Sequence, residues 1–318
     1  MVENDCNRLK SELCESIKRN NADGLLLSGG LDSSILASMV NPTYSWTIGF
    51  GRNSPDLSFA RLVATKYSKK HTEIILTDYE LLSIINKIIY LFKTFDPIEI
   101  RNSSVMYAGL SKVREEGISR IMTGDGGDEL FAGYNYLKRY FPNMQALKAQ
   151  LQRLWDTMHF SSSLIGSEVG IDVKTPFLDK KFMYYCKSID IDKMVGKHEN
   201  NLWGKFVLRK CFEEELGANI VWRTKLAQEE GAGIINIRNL LVKKLDDLSY
   251  KEDITKALSE GVIINDKEQL YYYKIFRTYF SPPKNEECSL ARCPKCSCCF
   301  IWKGRFCRTC GSFPVTPH

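Results

Sequence analysis

Residues 24–34 read Gly-Leu-Leu-Leu-Ser-Gly-Gly-Leu-Asp-Ser-Ser, an apolar run that stops in a glycine-rich turn. A helical pattern resumes from Ser33 to Val40, so the stretch predicts a strand, a tight turn and a helix. Glycines in such a turn let backbone N–H groups approach an anion, the serine hydroxyls add donors, and the helix directs its positive end inward. The stretch therefore predicts a phosphate-binding loop.

This loop lacks the Gly-Lys-Ser/Thr ending of the P-loop in kinases and GTPases. Without that lysine, it suits the binding of pyrophosphate better than the transfer of a γ-phosphoryl group. Asp32 lies among the anion-binding groups, where a bridging Mg²⁺ explains the presence of a carboxylate. The alternative is a plain strand-to-helix turn in which Asp32 only caps the helix.

Strand and helix patterns continue to alternate along the chain. Strand patterns cover 44–50, 71–76 and 120–123, and helical patterns cover 6–17, 57–67, 77–92 and 103–116. Because parallel strands need crossover connections, this alternation predicts an α/β fold with a doubly wound parallel sheet. Residues 143–280 are mainly helical with no clear strand run, which predicts a helical subdomain. We therefore expect an α/β domain at 1–142, a helical part at 143–281 and a cysteine-rich tail at 282–318.

A second glycine-rich turn follows the predicted strand at 120–123. Residues 123–129 read Thr-Gly-Asp-Gly-Gly-Asp-Glu and bring a cluster of carboxylates to the end of that strand. Ligands of parallel α/β sheets bind outside the carboxyl ends of the strands, so we expect both turns to face one pocket. Taken alone, the second turn could also be a solvated acidic turn or a calcium-type loop, although its spacing does not match the EF-hand loop.

Together, the two turns resemble the signature segments of the synthetase domain of asparagine synthetases. Further segments agree in order, namely Thr-Ile-Gly-Phe at 47–50, Thr-Pro-Phe-Leu-Asp at 175–179, Trp-Arg-Thr-Lys at 222–225 and Gly-Ala-Gly at 231–233. The likeness covers residues 24–233, and its motifs are shared with other AMP-forming enzymes such as β-lactam synthetases and peptide cyclases. It implies an adenine nucleotide alpha hydrolase-like fold and a ligase that uses ATP and Mg²⁺, releases AMP and pyrophosphate, and joins ammonia to aspartate.

The resemblance also implies roles for individual residues. The adenosine would lie near Leu26, Ile48, Thr123 and Gly124, and the pyrophosphate near Ser28, Gly29, Gly30, Ser33 and Ser34. Asp32 and Asp128 would hold Mg²⁺. Lys225 would stabilise the charge that develops at the α-phosphorus, and Asp125 would do acid–base work on the nitrogen nucleophile. The alternative for Lys225 is an ordinary solvated surface lysine.

Three positions depart from the family pattern. Asp125 is one methylene shorter than the usual glutamate, and Asp172 and Lys174 stand where glutamate and arginine are usual. These changes leave the substrate open between aspartate, a larger acid and a tRNA. Common asparagine synthetases also begin with a glutaminase domain whose cysteine follows the initiator methionine, where this chain has Val2. We therefore expect ammonia to be supplied free or by a separate glutaminase.

Seven of the 11 cysteines lie in the tail. Cys293, Cys296, Cys307 and Cys310 form two Cys-x-x-Cys pairs with ten residues between them, the spacing of a tetrahedral structural zinc site in a zinc ribbon. Cys298 and Cys299 leave the register partly open, because Cys296 and Cys299 have the same spacing. Clustered free or redox-active thiols are the alternative to zinc.

The net charge of +6 is concentrated in the same tail, where Phe300, Trp302 and Phe306 alternate with basic residues. Such a tail could bind RNA, or it could pack on its own enzyme. The runner-up function is therefore a PP-loop tRNA-modifying enzyme that adenylates a base. Thiolation would need a catalytic cysteine, and both mid-chain candidates, Cys186 and Cys211, lie in helical patterns typical of buried structural cysteines.

The chain shows no feature that would direct it into or across a membrane. No apolar run approaches the roughly 20 residues of a membrane span, and the amino terminus is too polar for a secretion signal. We therefore expect a cytoplasmic protein with no membrane contact.

Overall fold

The computed structural model describes residues 2–244, 247–299 and 305–315. Contacts divide the chain into two compact units. The first comprises Met1–Ile75 and Gly109–Ala227, and the second comprises Leu76–Ala108 and Gln228–His318. The division into three segments expected from composition stays a prediction.

The strands are short and the helices numerous. The strands are β1 (Gly24–Leu26), β2 (Tyr44–Phe50), β3 (Lys70–Leu76), β4 (Arg120–Met122), β5 (Asp172–Lys174), β6 (Gly196–His198) and β7 (Asn201–Trp203). The helices are α1 (Val2–Arg19), α2 (Leu31–Val40), α3 (Pro55–Tyr67), α4 (Asp78–Phe92), α5 (Pro97–Glu115), α6 (Gly127–Leu130), α7 (Met144–Thr157), α8 (Ser162–Val169), α9 (Lys180–Lys187), α10 (Ile191–Met194), α11 (Phe206–Leu216), α12 (Ala218–Val221), α13 (Gln228–Gly231), α14 (Ile237–Lys244), α15 (Asp247–Ser259) and α16 (Lys267–Tyr279).

The first unit is built on a five-stranded sheet in the order β3-β2-β1-β4-β5. Strand β1 pairs in parallel with β2 and with β4, and β4 pairs in parallel with β5. The predicted parallel α/β sheet flanked by helices is therefore confirmed. Gly24 lies opposite Ile121, so β1 and β4 end side by side and the two glycine-rich turns that follow them are neighbours.

An apolar core fixes this part of the sheet. Leu25 and Leu27 from the first strand region are buried together with Leu9 of α1, Ile35 of α2 and Phe212 of α11. Burial of such side chains stabilises the fold by roughly 1.5–3 kcal/mol each relative to exposure. The glycine-rich turns therefore follow strands that a packed apolar core holds in place.

The expectation that residues 143–280 contain no strand is wrong. Strand β5 forms an edge of the parallel sheet, and β6 pairs with β7 as an antiparallel hairpin. Each of these strands has three residues. A run this short gives no measurable alternation of polar and apolar residues, so only its pairing partners identify it as a strand.

Two cysteines that look unrelated in sequence are joined in the first unit. Cys6 of α1 and Cys211 of α11 form a disulfide, whereas Cys14 and Cys186 are free. The disulfide engages Cys211, and Cys186 is fully buried, so neither has the exposed thiol that a thiolation mechanism would need.

The second unit packs α4 and α14 against α16. Thr77 and Glu80 form a capping box at the start of α4, and Phe95 stacks edge-on against Tyr273 and Phe276 in the core. Within the described residues, no helix combines the length and the apolar character needed to span a membrane.

Candidate active site

The serine-rich loop after β1 is closed by its own hydroxyl groups. The Oγ atoms of Ser28 and Ser33 lie 3.1 Å apart, and the backbone N–H of Gly30 donates to Ser28 Oγ at 3.2 Å. Gly29 has φ 67°, and a Cβ atom there would overlap the backbone of Phe59 and Ala60, so only glycine fits. The loop is therefore fixed in one conformation.

Asp32 does not act as the cap of α2. The helix is preceded by Gly30, and no side chain caps its first N–H groups. Asp32 lies one residue inside the helix, and its carboxylate accepts a hydrogen bond from Lys205 instead. The capping role that the alternative gives to this aspartate is therefore not observed.

The structure brings the two glycine-rich turns into contact. A Cβ atom on Gly127 would overlap the carboxyl group of Asp32, and one on Gly124 would lie 3.1 Å from Asp32 Cβ. The glycines of the second turn thus allow α6 to approach the start of α2 closely. This approach places the carboxylates of Asp32 and Asp128 beside each other.

A lysine that the sequence motifs do not mark lies between these carboxylates. Lys205 Nζ is 2.6 Å from Asp32 Oδ2 and 2.6 Å from Asp128 Oδ1, and its side chain is 4% exposed. Lys225 Nζ lies 3.0 Å from Asp128 Oδ2 on the other side. Two carboxylates and two ammonium groups therefore form one neutral cluster.

The two carboxylates are not equivalent. Burial raises the pKa of Asp32, and the charge of Lys205 offsets only part of that effect. Burial would also raise the pKa of Asp128, but Lys205 and Lys225 outweigh it and lower this pKa to about 2. Asp128 is thus the more strongly ionised member of the pair.

Lys225 belongs to a loop that is anchored at several points. Arg223 pairs with the buried carboxylate of Asp56 at 2.7 Å, and its guanidinium stacks over Phe59 with 4.0 Å to the ring centroid. Asn135 Nδ2 donates to the backbone carbonyl of Lys225 at 3.2 Å. These contacts hold the ammonium group of Lys225 near Asp128, so it is not a freely solvated surface lysine.

Asp125, the expected acid–base residue, lies in the turn after β4. Burial raises the pKa of Asp125, against the effect of hydrogen bonds that favour its ionised form, among them one from Thr123 Oγ1 at 3.0 Å. A carboxylate with a raised pKa is a stronger base than an exposed one, as proton removal from an amine requires.

Four further residues from the sequence analysis lie on strands of the parallel sheet, Leu26 on β1, Ile48 on β2, and Asp172 and Lys174 on β5. Leu26 ends β1 opposite Trp46, and Ile48 lies two residues further along β2. Asp172 and Lys174, which depart from the family pattern, pair with each other at 2.6 Å on β5. The aspartate and the lysine at these positions thus form an ion pair with each other.

Glu129 ends the second glycine-rich turn and is a further buried carboxylate, to which the sequence analysis assigns no role. It is 7% exposed, its Oε1 accepts a hydrogen bond from the Tyr134 hydroxyl, and its backbone carbonyl accepts one from Trp155 at 3.0 Å. Burial raises the pKa of Glu129 to about 7 from an ordinary 4.5. It therefore titrates near neutral pH, directly beside Asp128.

A separate cluster in the second unit joins Cys293, Cys296, Cys307 and Cys310. Their four Sγ atoms lie within 4.8 Å of one another, and all four cysteines are buried. The Sγ atoms of Cys293 and Cys310 are 3.8 Å apart. Thiolates on one tetrahedral zinc with bonds of about 2.3 Å lie about 3.8 Å apart, so the cluster has the dimensions of a zinc site.

The other tail cysteines fall outside this set. Cys288 and Cys299 form a disulfide, which removes Cys299 from the alternative register. Cys298 is buried beside the cluster, with its Sγ 3.3 Å from that of Cys307.

Comparison with known proteins agrees with the motifs. A model of the family described as asparagine synthase matches residues 17–164 and 145–287. The chain belongs to the asparagine synthase family.

Curated members of the asparagine synthase family show the extent of the match. The chain is 31% identical over 312 residues to the glutamine-hydrolyzing asparagine synthetase B of Escherichia coli strain K12, covering 89% of the chain and 55% of that relative. It is 30% identical over 296 residues to asparagine synthetase 2 of Oryza sativa subsp. japonica, covering 82% and 48%. For the Zea mays enzyme the identity is 30% over 282 residues, covering 81% and 47%. The chain thus spans about half the length of the curated relatives it matches.

The titration of Glu129 generates a prediction about stability. A folded-state pKa of about 7 against 4.5 means that the folded protein holds this proton more tightly than the unfolded chain. The stabilising contribution is complete below pH 4.5 and is lost as pH rises through about 7. From pH 5 to pH 8, the unfolding free energy of Glu129→Gln should rise by about 2.5 kcal/mol relative to that of wild type, because its amide oxygen still accepts from Tyr134 without ionising.

The measurement is urea unfolding of both proteins at several pH values. Glu214→Gln, which changes an exposed carboxylate of the same unit, is the matched control and should follow wild type. Parallel stability profiles for wild type and Glu129→Gln would refute the assigned titration.

Proposed function

We propose that the chain is an ATP-dependent, AMP-forming amidoligase that activates the carboxylate of aspartate as an acyl-adenylate and transfers ammonia to it. The observation that carries the proposal is the convergence of Asp32, Asp128, Lys205 and Lys225 beside the serine-rich loop. Membership of the asparagine synthase family supports the same chemistry.

The first chemical step is cleavage of ATP at the α-phosphorus. An oxygen of the substrate carboxylate attacks this phosphorus, the acyl-adenylate forms, and pyrophosphate leaves with the electrons of the broken P–O bond. Such in-line displacement depends mostly on positioning and on charge stabilisation. Ser28, Gly30 and Ser33 would hold the leaving pyrophosphate, and Lys225 would stabilise charge on the oxygens of the α-phosphorus.

The two aspartates fit a magnesium ion. Asp32 Oδ1 is buried and has no hydrogen-bond partner among the described residues. Mg²⁺ prefers carboxylate and phosphate oxygens, so Asp32 and Asp128 are suitable ligands. When bound, the ion would neutralise phosphate charge.

The second step forms the amide. The nitrogen of ammonia attacks the carbonyl carbon of the mixed anhydride, the C–O bond to the phosphate breaks, and AMP leaves. Asp125 would take the proton that the nitrogen releases, because burial raises its pKa and makes its carboxylate more basic. A free or separately generated supply of ammonia would serve as the nitrogen source.

The cysteine cluster supports a structural zinc site rather than a second catalytic centre. Phe95 N–H donates to the Thr309 carbonyl at 2.8 Å, Gln269 Nε2 donates to the Cys310 carbonyl at 2.8 Å, and Ile263 N–H donates to the Lys295 carbonyl at 2.7 Å. The tail is thus hydrogen-bonded to the rest of its own unit. Zinc would fix these short segments, which have little core of their own.

The runner-up function depends on the same tail. Two of the aromatic residues invoked for RNA binding, Phe300 and Trp302, lie outside the described residues, and Phe306 is 38% exposed. Arg292 donates to the carbonyl oxygens of Glu286 and Ser297, so its charge serves the tail itself. These contacts favour a tail that packs on its own unit over one that binds tRNA.

A pyrophosphate-release assay tests the proposed activity. With ATP, Mg²⁺, aspartate and ammonium, the protein should release pyrophosphate and form AMP, because the phosphate loop and both lysines are in place. Omission of aspartate is the control and should abolish release. Release that requires tRNA and ignores aspartate would favour the base-adenylating alternative, and formation of ADP would contradict both.

Metal analysis tests the zinc site. The full chain should contain one zinc per molecule, and Cys307→Ser should lose it because one of four thiolates is removed. Cys298→Ser is the matched control, since this buried cysteine adjoins the cluster and should leave the zinc content unchanged. Equal zinc in wild type and Cys307→Ser would exclude the four-cysteine site.

A further inference from the structure

The ammonium group of Lys205 lies between the two carboxylates that are proposed to bind a metal ion. Its Nζ lies 2.6 Å from one oxygen of Asp32 and 2.6 Å from one oxygen of Asp128. Asp32 and Asp128 would hold a divalent ion through these same carboxylates, whose oxygens are the ligands that such ions prefer. The ammonium group and the ion cannot share this position.

The backbone around Lys205 is held in place by a hydrogen bond and by close contacts. Lys205 has φ 55°, in the left-handed region, and its N–H donates to the Phe131 carbonyl at 2.7 Å. A Cβ atom on Gly204 would overlap the Ala132 carbonyl, and one on Gly133 would overlap both Lys205 and Asp128. The main chain at this lysine is therefore fixed, and a change in the position of Nζ has to come from rotation within the four-carbon side chain.

Charge balance decides when such a rotation is favourable. Asp32 and Asp128 are neutralised by Lys205 and Lys225, so added Mg²⁺ would give the buried cluster an excess of positive charge. Excess charge in a buried site is unfavourable, because water cannot screen it. The phosphate groups of a nucleotide would supply the missing negative charge and a new partner for the displaced ammonium group.

We propose that Lys205 is an internal competitor for the divalent metal, so that the two aspartates bind a metal ion tightly only when nucleotide phosphates bind with it. This proposal rests on the proposed function, since it concerns the same two carboxylates. It assigns Lys205 a positioning role: the lysine couples metal binding to phosphate binding. By linkage, removal of its charge should strengthen metal binding to the protein alone.

The test is a titration with Mn²⁺ alone, followed by the electron paramagnetic resonance signal of the free ion. Mn²⁺ prefers oxygen ligands, so it does not compete for the four-cysteine cluster. Wild type should bind Mn²⁺ weakly at the two aspartates, and Lys205→Met should bind it at least tenfold more tightly. Lys205→Gln tests the same loss of charge in a variant whose amide still donates a hydrogen bond to one carboxylate, in case Lys205→Met does not fold.

Two controls make the result specific. Lys210→Met removes an exposed lysine of α11, the helix that follows Lys205, where it pairs with Glu213, and should bind Mn²⁺ as wild type does. Combining Lys205→Gln with Asp128→Asn should cancel the gain, since one of the two carboxylates is then lost. Mn²⁺ affinity that is equal in wild type and Lys205→Gln, or a gain that survives Asp128→Asn, would overturn the proposal.

This readout needs no turnover. A protein that releases no pyrophosphate but gains Mn²⁺ affinity in Lys205→Gln would contradict the proposed function and support the role of Lys205. A protein that releases pyrophosphate but gains no Mn²⁺ affinity in Lys205→Gln would support the proposed function and contradict the role of Lys205.

Discussion

The ion cluster formed by Asp32, Asp128 and Lys205 is the constraint on which the first unit depends. Two buried carboxylates repel each other, and each loses favourable hydration, so they lie side by side only if a positive charge lies between them. Lys205 supplies that charge from the start of α11. The cluster therefore ties together three segments that are far apart in sequence: the turn after β1, the turn after β4 and the start of α11.

The close packing of these charged groups determines which residues the surrounding backbone can carry. Glycine stands at 127, 133 and 204 because a Cβ atom at these positions would overlap the cluster or the peptide groups that support it. Arg209 reinforces the same place, donating from its buried guanidinium to the carbonyl of Gly204 at 3.0 Å. The site is thus positioned by rigid elements before any substrate binds, which is the condition for charge stabilisation without costly reorganisation.

Structural features that depend on residues close together in the sequence could be predicted. Features that depend on contacts between distant residues could not. The loop at 28–34, the turn at 123–129 and the paired cysteines of the tail each carry their chemistry within a few residues. Lys205 sits in a stretch that shows only helical periodicity, and its role depends on two carboxylates 173 and 77 positions away. The three-residue strand β5 and the disulfide between Cys6 and Cys211 likewise depend on partners elsewhere in the chain. Glycine directly before Lys205 interrupts the helical pattern, and this interruption was the one local signal available.

In the proposed reaction, a carboxylate oxygen attacks the α-phosphorus of ATP in this site. The most direct test supplies aspartate labelled with ¹⁸O in its side-chain carboxylate, together with ATP, Mg²⁺ and ammonium, and follows the label by mass spectrometry. We expect one labelled oxygen in AMP and none in pyrophosphate, because the oxygen that attacks phosphorus stays with AMP when ammonia displaces it from the acyl group. Unlabelled AMP, or label in inorganic phosphate, would contradict the account.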